Sequence, residues 1–107
     1  MKRIDAIIRT SKFGDVKNAL REIGIDFFSC WDVTGVGNEM KKSYRGIAYD
    51  ATFIPRQLLT IVVQDLNLKR TIECIRKTAR TGVIGDGKIF VTDIAEAYKI
   101  RDDDEGC

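Results

Sequence analysis

The segment from Thr78 to Val91 reads TARTGVIGDGKIFV, and it restricts the fold more than any other stretch of the chain. Its first residues end a helical pattern, a glycine-rich loop follows, and Lys88 opens an apolar strand. Such a loop lets the backbone approach a ligand closely and direct several amide N–H groups at one anion. The segment therefore predicts a phosphate-binding connection. An ordinary turn before a surface lysine is the alternative here, because the glycine spacing matches neither Walker A nor the Rossmann pattern.

Length and composition limit the class of protein. The 107 residues suit one domain with a single hydrophobic core, and a net charge of +2 gives no argument for binding to nucleic acid or membrane. No apolar run has membrane-spanning length, and MKRIDAIIRT is a strand pattern rather than a signal peptide, so we expect a cytoplasmic protein without membrane insertion. Three cysteines without a CxxC motif, and no histidine, argue against zinc sites and histidine-based triads and indicate reduced thiols.

Hydrophobic periodicity predicts strands and helices in alternation. Strand patterns cover Lys2–Thr10, Phe27–Val36, Phe53–Val63 and Lys88–Thr92, and helical spacing runs through Phe13–Ile23 and Leu68–Ala79. Gly24 stands where a left-handed helix cap would lie. The polar, basic stretch at 38–50 predicts a long exposed loop or an extended hairpin. After the last strand we expect a short turn or helix at 94–97, an extended piece at 98–101, and a flexible acidic tail at 102–107.

The predicted order β-α-β-β-α-β indicates the α+β, ferredoxin-like fold, with two helices on one face of a four-stranded antiparallel sheet. Apolar residues on the other face cannot all remain in contact with water. A second copy of the chain is the expected cover, which predicts a homo-oligomer. The fold alone implies no function.

The segment TARTGVIGDGKIFV resembles the C-terminal signature of the PII signal-transduction proteins, and YRGIAY at 44–49 resembles their loop signature. The opening MKRIDAIIR, the Gly35-Val-Gly37 step, FIPR at 53–56 and the final Ile100-Arg101 extend the similarity over a single domain, 1–107. The resemblance implies a homotrimer that binds ATP or ADP in clefts between subunits, with Mg²⁺ accompanying ATP. It also implies that the loop at 38–50 engages a protein target.

The resemblance assigns roles residue by residue, and the assignments agree with the chemistry of a nucleotide. Polyphosphate requires backbone N–H groups and converging cations, while adenine requires flat apolar walls. The implied nucleotide-binding residues are Ile7, Ser29, Gly35, Gly37, Val62, Arg80, Thr81, Gly85, Asp86, Gly87, Lys88, Lys99 and Arg101, of which Lys99 and Arg101 would come from the neighbouring subunit. Glu39 and Arg56 stand at the implied second-effector positions, and Tyr44, Arg45 and Tyr49 in the implied target-binding loop.

Several positions depart from the family pattern. Glu39 replaces a glutamine that helps hold the magnesium through which 2-oxoglutarate binds, and a carboxylate there would repel the oxoacid. Arg56 replaces a lysine, which keeps the charge but changes its geometry. The acidic run 102–104 stands where the family has Thr-Gly, and beside a phosphate cleft it would repel nucleotide unless it points away or binds a metal. These differences favour a divergent PII-like paralogue.

The leading hypothesis is a non-enzymatic sensor in nitrogen-linked regulation, whose nucleotide state sets the conformation of the loop. The loop would then bind or release a membrane transporter or metabolic enzyme. The alternative is a carbon-linked PII-like regulator that senses ADP or AMP with bicarbonate. A slow ATPase using Asp86 or Glu39 is disfavoured because no general-base pair is evident. A nucleic-acid module is disfavoured because aromatic residues make up only 8% of the chain and no aromatic strand motif occurs.

Overall fold

A computed structural model describes residues 1–36, 41–44, 47–50 and 53–101. Within these ranges the strands are β1 (Lys2–Arg9), β2 (Ser29–Val36), β3 (Lys41–Tyr44), β4 (Ile47–Asp50), β5 (Phe53–Val63) and β6 (Gly87–Asp93), and the helices are α1 (Phe13–Glu22) and α2 (Leu68–Ala79). Short 3₁₀ turns at Thr10–Lys12 and Asp65–Asn67 lead into the helices. No helix in the described ranges is long and apolar enough to cross a membrane.

The long strands form one antiparallel sheet in the order β2-β5-β1-β6. The central strand β1 pairs with β5 on one side and with β6 on the other. Each helix therefore connects two parallel strands that have a third strand between them, which confirms the predicted ferredoxin-like fold. Alternate residues of β1 face the core, since Ile4, Ala6 and Ile8 are all buried.

Both helices cover the same face of the sheet and enclose the core. Helix α1 buries Val16 and Leu20, and helix α2 buries Ile75 and Ala79, residues four apart that lie on one side of a helix.

The end of α1 confirms the predicted glycine cap. Gly24 has φ +88 and its N–H donates to the Arg21 carbonyl at 3.0 Å, which satisfies an otherwise unpaired helix-end acceptor.

The opposite face of the sheet carries large apolar side chains that no described residue covers. Trp31 is 49% exposed, Phe90 is 52% exposed and Val62 is 36% exposed. All three lie on the outward side of their strands. Val62 and Phe90 are opposite the outward-facing Arg3 and Asp5 of β1. Trp31 is opposite Leu58 of β5, which is itself opposite the outward-facing Ile7. An exposed apolar surface on this scale is typical of an interface with another chain.

Some element boundaries differ from the predicted ones. Strand β2 begins at Ser29 rather than Phe27. Gly24 and Ile25 complete the helix cap, and Phe28 packs edge-on against Phe13, with ring centroids 6.4 Å apart. Strand β6 is one residue longer at each end than predicted. Of the turn or helix predicted at 94–97, the structure has the turn, a bend at residue 95. Cys30 and Cys74 are free thiols, as predicted.

The stretch predicted as a loop or hairpin contains a hairpin. Strands β3 and β4 pair antiparallel, with Lys41 opposite Asp50 and Tyr44 opposite Ile47. The hairpin joins the adjacent strands β2 and β5 of the main sheet. The predictions for Gly37, Glu39, Arg45 and the acidic tail lie outside the described residues.

Candidate functional site

The segment that follows α2 is folded around one carboxylate, that of Asp86. Its Oδ2 accepts the N–H groups of Thr81 and Gly82, both at 2.9 Å. Its Oδ1 accepts the Thr81 hydroxyl and Nε of Arg9, the latter at 3.1 Å. These donors, the Thr81 hydroxyl foremost, hold the pKa of Asp86 far below its usual range. Because a carboxylate offers about four lone-pair positions, the oxygens of Asp86 are fully occupied by protein donors.

Two arginines fasten the same segment to the sheet. Arg9 on β1 and Arg56 on β5 are directly opposite in the strand register. Nη2 of Arg9 donates to the carbonyl oxygen of Ile84 at 3.0 Å, and Nη2 of Arg56 donates to that of Gly85 at 2.9 Å. Burial, and then the nearby charge of Arg9, lower the pKa of Arg56, yet a guanidinium stays protonated throughout the physiological range. Loop carbonyls that no strand or helix could pair are thereby satisfied.

The second glycine of the Gly85-Asp86-Gly87 run is required by close packing against strand β1. Gly87 has φ +106, and a Cβ atom there would lie 1.8 Å from the carbonyl oxygen of Ile7. Only glycine allows the loop to come this close to the backbone of β1. The sequence pattern predicted that these glycines serve the approach of a ligand. The structure adds that at least one of them serves the approach of a strand.

A cleft of about 480 Å³ opens beside this loop at the ends of β2 and β5, and we call it the strand-end cleft. Its lining includes Ile7, Gly35, Arg56 and the run Gly85–Lys88. The volume lies within the range of roughly 300–1,000 Å³ that small-molecule sites occupy. The fold therefore brings together six of the thirteen residues that the resemblance assigns to nucleotide binding: Ile7, Gly35, Gly85, Asp86, Gly87 and Lys88.

The charge of the strand-end cleft favours an anion. The ammonium group of Lys88 is exposed, and it makes no ion pair with any residue that the structure describes. Asp86 is the cleft's carboxylate within the described ranges, and it is compensated by Arg9. Arg56 and Lys88 thus leave the lining with excess positive charge next to an apolar wall at Ile7. Such a surface suits a ligand that combines phosphate with an apolar or aromatic part.

Other predicted nucleotide contacts lie elsewhere. Arg80 lines a second cleft of about 420 Å³ between α2 and β6. Thr81 lines neither cleft, but its hydroxyl donates a hydrogen bond to Asp86, which lines both. Four further residues, Ser29, Val62, Lys99 and Arg101, are outside the linings of both clefts. Gly37 falls outside the described ranges. Within one chain, then, Ile7, Gly35 and the Gly85–Lys88 run share the strand-end cleft, and Ile7, Asp86, Gly87 and Lys88 also line the second cleft with Arg80. Thr81 joins this group through its bonds to Asp86.

Arg9 is the residue at this site that the sequence reasoning did not single out. A signal for it was present, because the alternation of β1 places Arg9 on the same face as Ile7, two positions along the strand. What the pattern could not supply was the register that sets Arg9 opposite Arg56 and beneath the glycine loop. A positive residue at the end of a strand is otherwise indistinguishable from a solvated one.

The fold and the loop together define a ferredoxin-like α+β protein with a cleft at one end of its sheet that is lined by glycines, Arg56 and Lys88. Residues 1–104 match the family described as nitrogen regulatory protein P-II. The nitrogen regulatory protein P-II 1 of Methanothermobacter thermautotrophicus is 46% identical over 99% of this chain and 94% of its own length. The P-II protein of Bradyrhizobium diazoefficiens is 42% identical over 99% and 96%, and P-II 1 of Escherichia coli K12 is 43% identical over 98% and 96%. The chain belongs to the nitrogen regulatory protein P-II family, which confirms the predicted resemblance.

Proposed function

We propose that this chain is a regulatory sensor that binds ATP or ADP at the strand-end cleft and passes its nucleotide state to a target protein. The observation that supports this most is the division of charge at the glycine loop. The Asp86 carboxylate accepts hydrogen bonds from Thr81, Gly82 and Arg9, while Lys88 has no carboxylate partner in the described part of the chain. A cation left uncompensated beside glycine backbone is the arrangement that a polyphosphate requires.

In this proposal the nucleotide lies between subunits of a homotrimer. Ile7 and Val62 form the apolar walls that flank the adenine. Lys99 and Arg101 of a neighbouring subunit approach the phosphates. The uncovered sheet face supports an oligomer, because Trp31 and Phe90 are each about half exposed in the isolated chain. Light scattering tests the assembly directly: a monomer at the concentration where nucleotide binds would contradict it.

Magnesium would arrive with ATP, bound to the phosphates and to water, as this ion prefers. Asp86 is a poor ligand for it, because all of its lone-pair positions already accept hydrogen bonds from the protein. The same bonds make Asp86 a poor general base, since a carboxylate with a strongly lowered pKa does not take a proton near neutrality. Both points favour a sensor over a slow ATPase.

The nucleotide state would be communicated through the segment at 38–50, whose hairpin β3-β4 joins two strands that border the cleft. Tyr44, Arg45 and Tyr49 are the proposed contacts with a cytoplasmic enzyme or the cytoplasmic side of a transporter. A ligand can shift the hairpin only by as much as its affinity differs between the two conformations. The similar proteins are named as nitrogen regulatory proteins. Their names favour the leading hypothesis of nitrogen-linked regulation over the carbon-linked alternative.

Calorimetry with ATP, ADP and AMP tests nucleotide binding. We expect ATP and ADP to bind in the micromolar range and AMP to bind more weakly, because it offers fewer phosphate charges. Lys88→Met should weaken ATP binding by about tenfold or more, the effect of losing one charge-assisted contact. Lys69→Met is the matched control, since Lys69 is an exposed lysine on α2 outside both clefts. Binding of all three nucleotides only at millimolar concentration would refute the proposal.

A further inference from the structure

Arg9 connects the central strand of the sheet to the glycine loop through both sides of its guanidinium. Nε donates to Asp86 Oδ1 at 3.1 Å and Nη2 donates to the Ile84 carbonyl at 3.0 Å. The side chains of the ion pair are only 22% and 26% exposed. A planar guanidinium supplies donors in a fixed fork, so one arginine can hold two acceptors at a set separation.

The bond between Arg9 and Asp86 affects ligand binding because Asp86 belongs to the cleft. Its carboxylate lies in the lining of the strand-end cleft, where a free negative charge would oppose an incoming phosphate. It also accepts the N–H groups of Thr81 and Gly82, which set the first turn of the loop. Arg9 therefore neutralises the negative charge of Asp86, which would oppose a phosphate in the cleft, and stabilises the turn that carries Asp86.

We propose that Arg9 is a positioning residue for phosphate binding: it holds Asp86 and the Ile84 carbonyl so that the Gly85–Lys88 backbone lines the strand-end cleft. This inference rests on the nucleotide-binding function proposed above. Arg56 provides a second anchor, one residue further along the loop, through its bond to the Gly85 carbonyl at 2.9 Å. Strands β1 and β5 thus fix consecutive residues of the loop, while Lys88 stays available to the ligand.

Two substitutions separate positioning from simple charge attraction. Arg9→Lys keeps the positive charge, but a single ammonium group cannot reproduce the fork that reaches Asp86 and Ile84 together. Asp86→Asn removes a negative charge beside the cleft while it leaves an oxygen to accept the Thr81 and Gly82 amides. If Arg9 acted by charge alone, Arg9→Lys would bind ATP as the wild type does and Asp86→Asn would bind it more tightly. Positioning requires that both variants bind it more weakly.

Calorimetry on the full chain measures these affinities with ATP and AMP. We expect Arg9→Lys and Asp86→Asn each to weaken ATP binding by about tenfold and to reduce the preference for ATP over AMP. The double variant should lose little more than the weaker-binding single variant, because both changes disrupt one contact. The control is Arg70→Lys, whose arginine bonds to Asn67 Oδ1 at 3.3 Å on the surface of α2. Wild-type affinity in Arg9→Lys, or tighter binding in Asp86→Asn, would overturn the inference.

Hydrogen exchange in the nucleotide-free protein supplies a readout that does not depend on binding. The amides of Thr81 and Gly82 donate to Asp86, so they should exchange faster in Arg9→Lys, while the amides of the buried strand β1 keep their wild-type protection. Unchanged protection at Thr81 and Gly82 would overturn the inference even if the nucleotide binds. If the wild type binds no nucleotide, the proposed function fails, and faster exchange in Arg9→Lys would support only the structural part of this assignment.

Discussion

The two ends of the sheet both carry pairs of carboxylate and cation, yet they use them differently. At the end with the cleft, Asp86 is 26% exposed and accepts hydrogen bonds from four donors on three residues. At the other end, Asp93 pairs with Lys2 and Asp65 pairs with the N-terminal ammonium group of Met1. These carboxylates are 82% and 67% exposed.

The difference shows that a carboxylate stabilises the local structure mainly through the number of well-placed donors, and less through the presence of an opposite charge. An exposed pair gains little in water of high dielectric constant and is screened by salt. Asp86 instead combines a cation with two backbone amides and a hydroxyl, so the loop cannot change shape without breaking several bonds together. The contrast between the ends can be tested by substitutions at each of them.

The largest effect is expected for Gly87→Ala at the cleft end. The added Cβ atom would lie 1.8 Å from the Ile7 carbonyl, so the loop or β1 must move, and φ +106 is unfavourable for alanine. We expect a loss of more than about 3 kcal/mol in the free energy of unfolding. Gly24→Ala is the control, because Gly24 has a similar φ of +88 and no atom of the described residues lies within 4 Å of its Cβ position.

Gly24→Ala should therefore cost only about 1 kcal/mol, the penalty of the backbone conformation alone. Urea unfolding of both variants measures the difference. Equal losses would show that the close approach of the loop to β1 does not contribute to stability, and they would remove the packing reason for Gly87.

The next largest effect is expected for Asp86→Ala, compared with Asp93→Ala at the opposite end. Removal of Asp86 leaves the Thr81 and Gly82 amides and Arg9 without their acceptor, whereas removal of Asp93 leaves one exposed lysine. Thermal unfolding should show a clear decrease in melting temperature for Asp86→Ala and a decrease close to zero for Asp93→Ala. If the two decreases are similar, the density of donors is not what distinguishes the ends.

Acid titration should rank the carboxylates in the same order. The pKa of Asp86 is lowered chiefly by the Thr81 hydroxyl, and that of Asp65 chiefly by its bond to the N-terminal ammonium group. A carboxylate with a lowered pKa in the folded state stabilises the fold above its unfolded pKa of about 3.9, and this stabilisation is lost as the pH falls through the folded-state pKa.

Wild-type stability should therefore decrease as the pH falls from about 5 toward 2, and Asp86→Asn should flatten this dependence more than Asp65→Asn. The free energy of unfolding, measured in urea at several pH values, gives the slope for each variant. A slope that Asp86→Asn leaves unchanged would mean that the hydrogen bonds of Asp86 do not favour its ionised form.

The sequence predicted the fold well because the two helices and the strands of the main sheet each had a clear period. The alternation in β1 and the helical spacing from Leu68 to Ala79 both depend on burial of one face, which is a local property of the pattern. It also predicted that Gly85, Gly87 and Lys88 lie together, since they are neighbours in the chain. It could not predict that Arg9 bonds to Asp86, because that contact joins residues 77 positions apart and depends on strand register.

The smallest effect is expected from the pair Lys2 and Asp93, and it completes the comparison. Asp93 raises the pKa of Lys2. However, the side chain of Asp93 is 82% exposed, so water competes for the interaction between the two residues. A double-mutant cycle with Lys2→Met and Asp93→Asn should give a coupling near zero at physiological salt. The same cycle with Arg9→Met and Asp86→Asn should give a clearly measurable coupling, because that pair is shielded and linked to the loop amides. A coupling at Lys2 and Asp93 as large as that at Arg9 and Asp86 would show that charge alone accounts for both ends of the sheet.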